Sequence, residues 1–370
     1  MTPHYFALRD AGPPPDHASH LVRQEAYPSR GGDKKATLGV AAWALLFIGT
    51  RMCRNPMPSK VPMISVIMPA YNSEDFIAAA IESVLGQTFS DFELIISDDG
   101  SSDGTLGIAR FYAARDGRIR VLSGENVGAP ENGNRCLRAA TRPWVARMDA
   151  DDISLPVRFA RLIAAARENP DVVLWGGRAI TIDRRGRPMH RIQSGPQSAE
   201  EFRDFRARGK VIYVISPTCL FRRDLALQLG GYSPSMDGAD DVELMNGLAE
   251  RGPVRTISHD LALYRVHGSS ISSTRYGLQE RVFAFLSARN QARLQGRDLT
   301  IDEYQRSLNE QPVLRRLARG LGGLGRNSYR STAVHLAERR YVKATIAAGM
   351  AIACNPLHVL NRTRNRMISN

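Results

Sequence analysis

Ala146-Arg147-Met148-Asp149-Ala150-Asp151-Asp152 is the stretch around which the rest of this sequence is organised. The apolar run 144–146 leads into it and predicts the end of a buried strand. Because side chains i and i+2 of a strand point to the same side, Asp149 and Asp151 are expected to face one cleft. Carboxylates this close repel each other unless a cation binds between them, and oxygen ligands favour Mg²⁺ or Mn²⁺ over zinc. The alternative is an acidic turn that caps a helix over 155–167.

Length and composition set the outer limits of the fold. The 370 residues, 43% of them hydrophobic, suffice for one large α/β domain with additions. The cysteines lie far apart, with neither zinc-site spacing nor the density of a disulfide framework, which favours reduced thiols in a cytoplasmic protein. They are Cys53, Cys136, Cys219 and Cys354.

The net charge of +13 is concentrated near the C-terminus. Residues 281–370 contain 16 Lys and Arg against 5 Asp and Glu, so about +11 of the charge lies there. Nucleic acid, an anionic membrane surface or a solvated helix face could each explain it. Because apolar helical segments alternate with the basic residues, we favour a peripheral membrane surface as a partner and expect no nucleic-acid binding.

The first 60 residues are expected to form a disordered or weakly anchoring N-terminal extension. Its apolar run over 36–50 is shorter than the roughly 20 residues that a membrane-spanning helix needs. The run also lies far from the N-terminus for a signal sequence, and no clear cleavage site follows it. An interfacial anchor, an extension irrelevant to the fold and a single membrane span remain open for this segment.

Strand-like and helix-like patterns alternate in the next part of the sequence. Apolar runs at 64–69, 92–97, 119–122 and 144–146 predict strands, and helical spacing of apolar residues separates them. This alternation predicts right-handed βαβ units and a mostly parallel sheet, in which ligands bind at the carboxyl ends of the strands. The polar segments that one crevice should therefore collect are Pro69-Ala70-Tyr71, Asp98-Asp99, Asn126 and Asp149-Ala150-Asp151.

Seven short motifs occur in a fixed order along residues 63–271. They are Ser65-Val66-Ile67-Met68-Pro69-Ala70-Tyr71-Asn72, Ser97-Asp98-Asp99-Gly100-Ser101-Ser102-Asp103-Gly104-Thr105, Ala146-Arg147-Met148-Asp149-Ala150-Asp151-Asp152-Ile153, Ser216-Pro217-Thr218 with Phe221-Arg222-Arg223, Gly230-Gly231-Tyr232, Asp240-Asp241-Val242-Glu243-Leu244 and Tyr264-Arg265-Val266-His267. In this order they resemble the motif series of the family 2 glycosyltransferases, inverting enzymes with the GT-A nucleotide-diphospho-sugar fold. The resemblance implies an α/β fold of GT-A type, with a mostly parallel, Rossmann-like sheet flanked by helices and a helical C-terminal extension.

The resemblance also implies a division of the chain. A glycosyltransferase domain is expected over 61–280, with a nucleotide-sugar half at about 61–155 and an acceptor half at about 156–280. A basic helical region over 281–370 follows it. The N-terminal extension over 1–60 precedes the domain.

The nucleotide-sugar half receives most of the site residues that the resemblance implies. Pro69 and Tyr71 would line the base pocket, and Asp98 or Asp99 would accept a hydrogen bond from the base, uracil in most similar proteins. Residues expected beside the donor are Asn134 and Arg135, although Gly133 departs from the commoner family form and weakens the contact assigned to Arg135.

The metal set that the resemblance implies consists of two aspartates and a histidine. Asp149 would contact the ribose and a divalent cation, Mg²⁺ or Mn²⁺, and Asp151 would bind the same cation. His267 would supply a third ligand or touch the diphosphate; its alternative is a structural role.

The acceptor half carries the residue on which the chemistry would depend. In an inverting transfer, the acceptor hydroxyl attacks the anomeric carbon opposite the diphosphate, and it needs a base. The resemblance assigns this role to Asp241, with Pro217, Thr218 and Asp240 on the acceptor side. Burial and the like charge of its neighbour would raise the pKa of Asp241. Acidic residues also favour the start of a helix, here one over 242–251, and both explanations can hold.

The C-terminal region is expected to be helical. Helices are predicted over 281–293 and 300–317, then a glycine-rich break over 320–325, then a helical pair over 331–354. Residues 341–360 are apolar with a basic fringe. This pattern suits attachment to an anionic bilayer, and a helical cap packed on the catalytic domain is the alternative.

Together these features predict a metal-dependent inverting glycosyltransferase that uses a nucleoside-diphosphate sugar, UDP-linked in the first instance. The acceptor would be a glycan or a lipid-linked sugar in surface polysaccharide assembly, at the inner face of the membrane. A GT-A-like nucleotidyltransferase would carry a glycine-rich signature after the first strand, where Pro69-Ala70-Tyr71-Asn72 stands instead. A non-catalytic sugar-nucleotide binding protein would not need both the metal carboxylates and Asp241.

Overall fold

The computed structural model describes residues 64–268, 275–337 and 340–361. The predicted N-terminal extension over 1–60, with its apolar run, lies outside these residues. So does the end of the basic fringe, residues 362–370.

The described chain alternates strands and helices as the sequence predicts. The strands are β1 (Ile64–Ala70), β2 (Phe92–Asp98), β3 (Ile119–Ser123), β4 (Trp144–Arg147), β5 (Ile153–Ser154), β6 (Leu174–Ile182), β7 (Pro188–Ile192), β8 (Leu220–Arg222) and β9 (Val254–Arg265). The helices are α1 (Ile77–Leu85), α2 (Thr105–Ala113), α3 (Ala129–Ala139), α4 (Arg158–Glu168), α5 (Ala199–Ala207), α6 (Arg223–Gln228), α7 (Asp240–Arg251), α8 (Tyr276–Leu294), α9 (Ile301–Asn309), α10 (Val313–Ala337) and α11 (Tyr341–Cys354).

One nine-stranded sheet organises these elements, in the order β3-β2-β1-β4-β8-β6-β9-β5, with β7 paired to β6. Strands β1 to β4 are mutually parallel, and this confirms the predicted βαβ units of the first half. Strand β8 is antiparallel to both of its neighbours, β4 and β6, while β6 and β9 are parallel. Most paired residues of the sheet are therefore in parallel register, and the antiparallel β8 joins its two halves.

Strand β1 shows why the apolar runs in the sequence are nearly continuous. Ile64, Val66 and Met68 point into one core, which helices α1, α2 and α4 complete. Ile67 points into a second core on the other face, with side chains from α3 and α7. Because both faces of the sheet are covered by helices, neither side of the strand needs polar residues.

Helix α8 packs on helix α7. The Arg289 guanidinium donates to both carboxylate oxygens of Glu243 in α7, at 2.7 and 2.9 Å. The Asn290 amide also donates to Asn246 of that helix, at 3.3 Å. The predicted domain boundary at residue 280 thus lies inside a helix that packs on α7.

The predicted glycine-rich break at 320–325 is wrong, because α10 runs through it without interruption. The small residues serve a close approach to the segment that ends α11. A Cβ atom on Gly325 would lie 2.5 Å from the Asn355 side chain. The Asn355 amide also donates to the Gly322 carbonyl oxygen at 3.2 Å. Within the described ranges, no helix combines the length and apolar character needed to cross a bilayer.

Candidate active site

The loops that follow β1 and β2 form one side of a crevice at the carboxyl ends of the parallel strands. Tyr71 is exposed there and Pro69 is partly buried beside it. Asn72 joins the two loops through two hydrogen bonds. Its Oδ1 accepts from the backbone amide of Ser102 at 2.9 Å, and its backbone amide donates to Ser101 Oγ at 3.0 Å. The predicted base-pocket residues therefore lie on loops that hold each other in place.

Asp98 and Asp99 are both buried, but only one retains an unused oxygen. The two carboxylate oxygens of Asp99 accept from the amides of Val127 and Gly128, each at 3.0 Å, and so fix the turn before α3. Oδ2 of Asp98 accepts from the Ser101 amide at 3.1 Å. Oδ1 of Asp98 is buried and has no hydrogen-bond partner in the described part of the chain. Because buried oxygens are normally satisfied, this atom is the better acceptor for a ligand N–H.

Asn134 and Arg135 brace the crevice rather than leave free groups in it. The Asn134 side chain donates to the Tyr232 carbonyl oxygen at 2.8 Å and accepts from the Tyr232 amide at 2.7 Å. Arg135 lies 3.9 Å from Asp99 and donates to the Glu125 carbonyl oxygen at 3.4 Å. Asn134 therefore joins α3 to the segment around Tyr232, and Arg135 holds the loop after β3.

Arg147, to which the sequence motifs assign no role, links the carboxylates on the two sides of the crevice. Its largely buried guanidinium donates to Asp149 Oδ1 at 3.0 Å and lies 4.0 Å from Asp240 Oδ2. The same group stands 4.9 Å from the ring centre of Tyr232, within cation–π range. In the sequence, the feature that points to Arg147 is its charge at the end of the otherwise apolar strand β4. Arg147 connects the strand-end carboxylate to the start of helix α7.

The carboxyls at the start of α7 have shifted pKa values. Burial raises the pKa of Asp240 to about 7; Arg147 opposes this shift and Asp241 adds to it. Burial likewise raises the pKa of Asp241, against the pull of Arg147 and with a further push from Asp149. Asp241 Oδ1 accepts from the Val242 amide at 2.8 Å. A carboxyl with a raised pKa in a crevice suits proton transfer near neutral pH.

Two further carboxylates lie where the loop after β4 meets the end of β9. Asp151 Oδ2 lies 2.9 Å from His267 Nε2, and the Phe76 ring packs against the imidazole at a tilt of 40°, with ring centres 5.0 Å apart. Asp152 is buried and accepts from the Arg265 amide at 2.7 Å. The Arg265 guanidinium donates to the Asp151 carbonyl oxygen, also at 2.7 Å. The end of β9 thus fixes both the side chain and the backbone of Asp151.

The predicted metal set is only partly brought together. Across the described residues, no three His, Cys, Asp or Glu side chains converge as a metal site. The reason is that Asp149 pairs with Arg147, whereas Asp151 pairs with His267. The two donor atoms of that pair lie 2.9 Å apart, close to the roughly 3 Å between neighbouring ligands of an octahedral cation. This spacing is that of a hydrogen bond between the two side chains, and it would also suit two neighbouring ligands of one octahedral cation.

Pro217 and Thr218, which the sequence predicts on the acceptor side, are buried beneath the crevice. Thr218 Oγ1 accepts from the Gly177 amide at 3.2 Å and donates to the Ile215 carbonyl oxygen at 2.7 Å. Their neighbour Ser216 lies beside Asp241, where its hydroxyl partly opposes the rise in the pKa of that carboxyl. Pro217 and Thr218 consequently shape the wall, while Ser216 stands closer to the reactive carboxyl.

A second buried arginine, Arg158, supports this arrangement from below. It has no exposed surface and donates to the carbonyl oxygens of Arg147 and Cys219, at 2.7 and 3.1 Å. Burial lowers its pKa to about 10. Arg158 therefore joins the ends of β4 and β8, the junction between the two halves of the sheet.

The carboxylates at the strand ends, the acidic pair at the start of α7 and the mixed sheet together define a GT-A type of architecture. Residues 65–230 match the family model described as Glycosyl transferase family 2. The chain is 30% identical over 224 residues to the uncharacterized glycosyltransferase EpsJ of Bacillus subtilis, which covers 58% of this chain and 64% of EpsJ. Over residues 65–230 the chain therefore matches the family 2 glycosyltransferases, as the order of its motifs predicts.

Two further comparisons show how much of each related protein this chain covers. Chondroitin synthase of Escherichia coli is 26% identical over 231 residues, covering 60% of this chain and 31% of that protein. The chain thus spans less than two thirds of the length of both relatives. The crystal structure of S. aureus TarS 1-349 in complex with UDP-GlcNAc aligns with a TM-score of 0.52 at 17% identity, over 77% of this chain and 89% of that chain. The predicted GT-A fold is confirmed.

Proposed function

We propose that the protein transfers a sugar, with inversion, from a nucleoside diphosphate to an acceptor hydroxyl. The position of Asp241 carries this proposal. It is a carboxyl with a raised pKa at the start of α7, close enough to Asp149 of the nucleotide half to feel its charge. A protein that only binds a nucleotide sugar has no need of such a carboxyl. Asp241 is the proposed base that takes the proton of the attacking hydroxyl.

The donor is proposed to be a UDP-sugar held at the ends of β1 and β2. The unpartnered Oδ1 of Asp98 would accept the N–H of a uracil base, and the exposed ring of Tyr71 would cover it, with Pro69 beside it. Asp99 would act indirectly, because its oxygens already hold the turn before α3. The fold is shared with a protein crystallised with UDP-GlcNAc, which is consistent with this choice.

A divalent cation is proposed to bind at Asp151 and His267. Bound there, it would neutralise the negative charge of the departing diphosphate. A histidine ligand is unusual for Mg²⁺, so Mn²⁺ is the preferred ion in this proposal. Arg147 meanwhile holds Asp149 in place, and Arg265 holds the backbone of Asp151.

The acceptor is proposed to be a glycan or a lipid-linked sugar in the assembly of a surface polysaccharide. Its hydroxyl would reach Asp241 from the side of Asp240 and Ser216, above the buried Pro217 and Thr218. Escherichia coli chondroitin synthase, a relative by sequence, is named for making a polysaccharide. We infer a cytoplasmic location at the inner face of the membrane, where a lipid-linked acceptor would be reached.

The donor proposal can be tested by measuring hydrolysis across a panel of nucleotide sugars with Mn²⁺, Mg²⁺ or EDTA. We expect turnover of at least one UDP-sugar, greater with Mn²⁺ than with Mg²⁺, and none with EDTA. An Asp98→Asn variant tests the base pocket. Asparagine fills the same space, but it can present an N–H group where the uracil also presents one. Selective use of a GDP-sugar or TDP-sugar would contradict the uracil assignment.

Replacing Arg147 should affect turnover more than donor binding. Arg147→Met removes the cation that lowers the pKa of Asp240 and Asp241, so a smaller fraction of the base is ionised at neutral pH. We expect kcat to fall about tenfold or more at pH 7 and its pH dependence to shift to higher pH. Arg147→Lys should restore part of the rate. Equal losses in UDP affinity and kcat, with an unshifted pH profile, would assign Arg147 to the donor site instead.

A further inference from the structure

The C-terminal hairpin of α10 and α11 carries an unusually apolar exposed surface. One side of α11 packs on α10 through three small residues, Ala344, Ala347 and Ala351. The other side exposes large apolar residues at helical spacing: Val342 is 75% exposed, Ile346 59% and Met350 42%. We call Val342, Ile346 and Met350 the α11 apolar face. Exposed apolar groups on this scale mark a surface that binds something.

The charged residues in the sequence of this hairpin are almost all of one sign. Residues 311–361 contain a single acidic residue, Glu338. The described part of the same segment carries seven basic residues, which are Arg315, Arg316, Arg319, Arg326, Arg330, Arg340 and Lys343. Because like charges repel, this composition disfavours contact between two copies of the hairpin. It complements a surface that is both apolar beneath and negatively charged on top.

The dimensions of α11 fit a helix that lies on a bilayer. Its 14 residues make a helix about 21 Å long, shorter than the roughly 30 Å hydrocarbon core. An amphipathic helix in the interface buries its apolar face about 5–10 Å into the boundary between headgroups and acyl chains. Exposed Leu314, Leu317 and Leu321 in the first half of α10 extend the apolar surface along the same hairpin.

We propose that the α11 apolar face is a docking surface for anionic lipid, which holds the enzyme on the bilayer through the hairpin. The exposed side chains of Arg340 and Lys343 would contact the headgroups. Val342, Ile346 and Met350 would enter the upper acyl region. The inference rests on the proposed function only for the membrane-bound acceptor. The hairpin of α10 and α11 is the part of the chain that would attach the enzyme to the membrane.

The hairpin is also joined to the catalytic unit, so the attachment would set the orientation of the crevice. Arg326 of α10 donates to both carboxylate oxygens of Glu280 in α8, at 2.7 and 2.8 Å. A Cβ atom on Gly277 of α8 would lie 2.8 Å from the Asn327 amide, so the two helices approach closely. Helix α8 in turn contacts α7, which carries Asp241, through Arg289 and Glu243.

The test is liposome flotation of the full chain with phosphatidylcholine vesicles, with or without phosphatidylglycerol. We expect retention only with phosphatidylglycerol, weakened by salt. The double variant Val342→Asp, Ile346→Asp should partition at least about tenfold less, because it removes apolar contacts and adds negative charge. Met189→Asp is the matched control, since Met189 is an exposed apolar residue on β7, and it should bind like the wild type.

A serine variant and an activity assay separate loss of lipid binding from loss of the fold or of the enzyme activity. Val342→Ser, Ile346→Ser should lose binding as well, without added charge, and the thermal midpoint should report that the fold is intact. UDP-sugar hydrolysis should be unchanged in all these variants, so a failure of lipid docking is distinguishable from a failure of the proposed function. Retention of the double variants on anionic vesicles would overturn the inference. A concentration-dependent dimer that Ile346→Asp dissociates, without lipid binding, would assign the face to a second copy of the chain.

Discussion

Asp241→Asn is expected to reduce kcat by about 10² to 10⁴ while the affinity for UDP stays nearly unchanged. The substitution removes the proposed base and little else. The amide oxygen of the new side chain could still accept the hydrogen bond that the Val242 amide gives to Asp241 Oδ1, at 2.8 Å, so the start of α7 should be preserved. A loss confined to kcat marks an interaction made in the transition state.

Asp240→Asn is the matched comparison, because its side chain starts the same helix. Burial raises the pKa of Asp240 to about 7, so it is partly protonated near neutral pH, and an amide should mimic it with a smaller loss. The two carboxyls titrate together, and the wild-type rate should rise with pH as the pair loses its proton. Near-normal transfer by Asp241→Asn would move the base to Asp240. Glu243 is a weaker alternative, because Arg289 holds both of its oxygens.

Asp151→Ala should weaken UDP binding about 10- to 100-fold in Mn²⁺ and remove the effect of EDTA. The reason is that Asp151 and His267 are the only proposed protein ligands of the cation, and loss of one leaves a single imidazole. Calorimetric titration of UDP, with Mn²⁺ and with EDTA, measures this. His267→Ala should give a loss of the same order.

Asp75→Ala is the control for that experiment. Asp75 is an exposed aspartate that pairs with Arg184 near Phe76, so its removal changes the local charge without touching the proposed ligands. Its UDP affinity should stay within about threefold of the wild type, as expected for an exposed ion pair. If wild-type UDP binding is equal with Mn²⁺ and EDTA, Asp151 has no metal role, and its contact with His267 is structural.

Much of the fold could be predicted because periodicity is local information. The apolar runs of β1, β2 and β4 and the helical spacing of α1 depend only on which faces are buried. Strand-end carboxylates follow from the same reasoning, since parallel strands end at one edge. The glycine run in α10 shows the limit. From sequence it predicts a break, but in the fold those small residues admit Asn355.

The candidate site divides in the same way. The sequence by itself determined which residues stand at the strand ends, namely Asp98, Asp99, Asp149 and Asp151, and that an acidic pair begins α7. Only the tertiary structure decided how each is used: Asp99 holds a turn, Asp149 pairs with Arg147, and Oδ1 of Asp98 finds no partner among the residues that the structure describes.

Asn134 binds the backbone of Tyr232, and Arg147 contacts both Tyr232 and Asp240. These partners lie far from Asn134 and Arg147 along the chain. The physical reason is that the period of a segment encodes which face is buried, whereas the partner that meets a buried charge is set by distant segments whose contacts exist only in the folded chain.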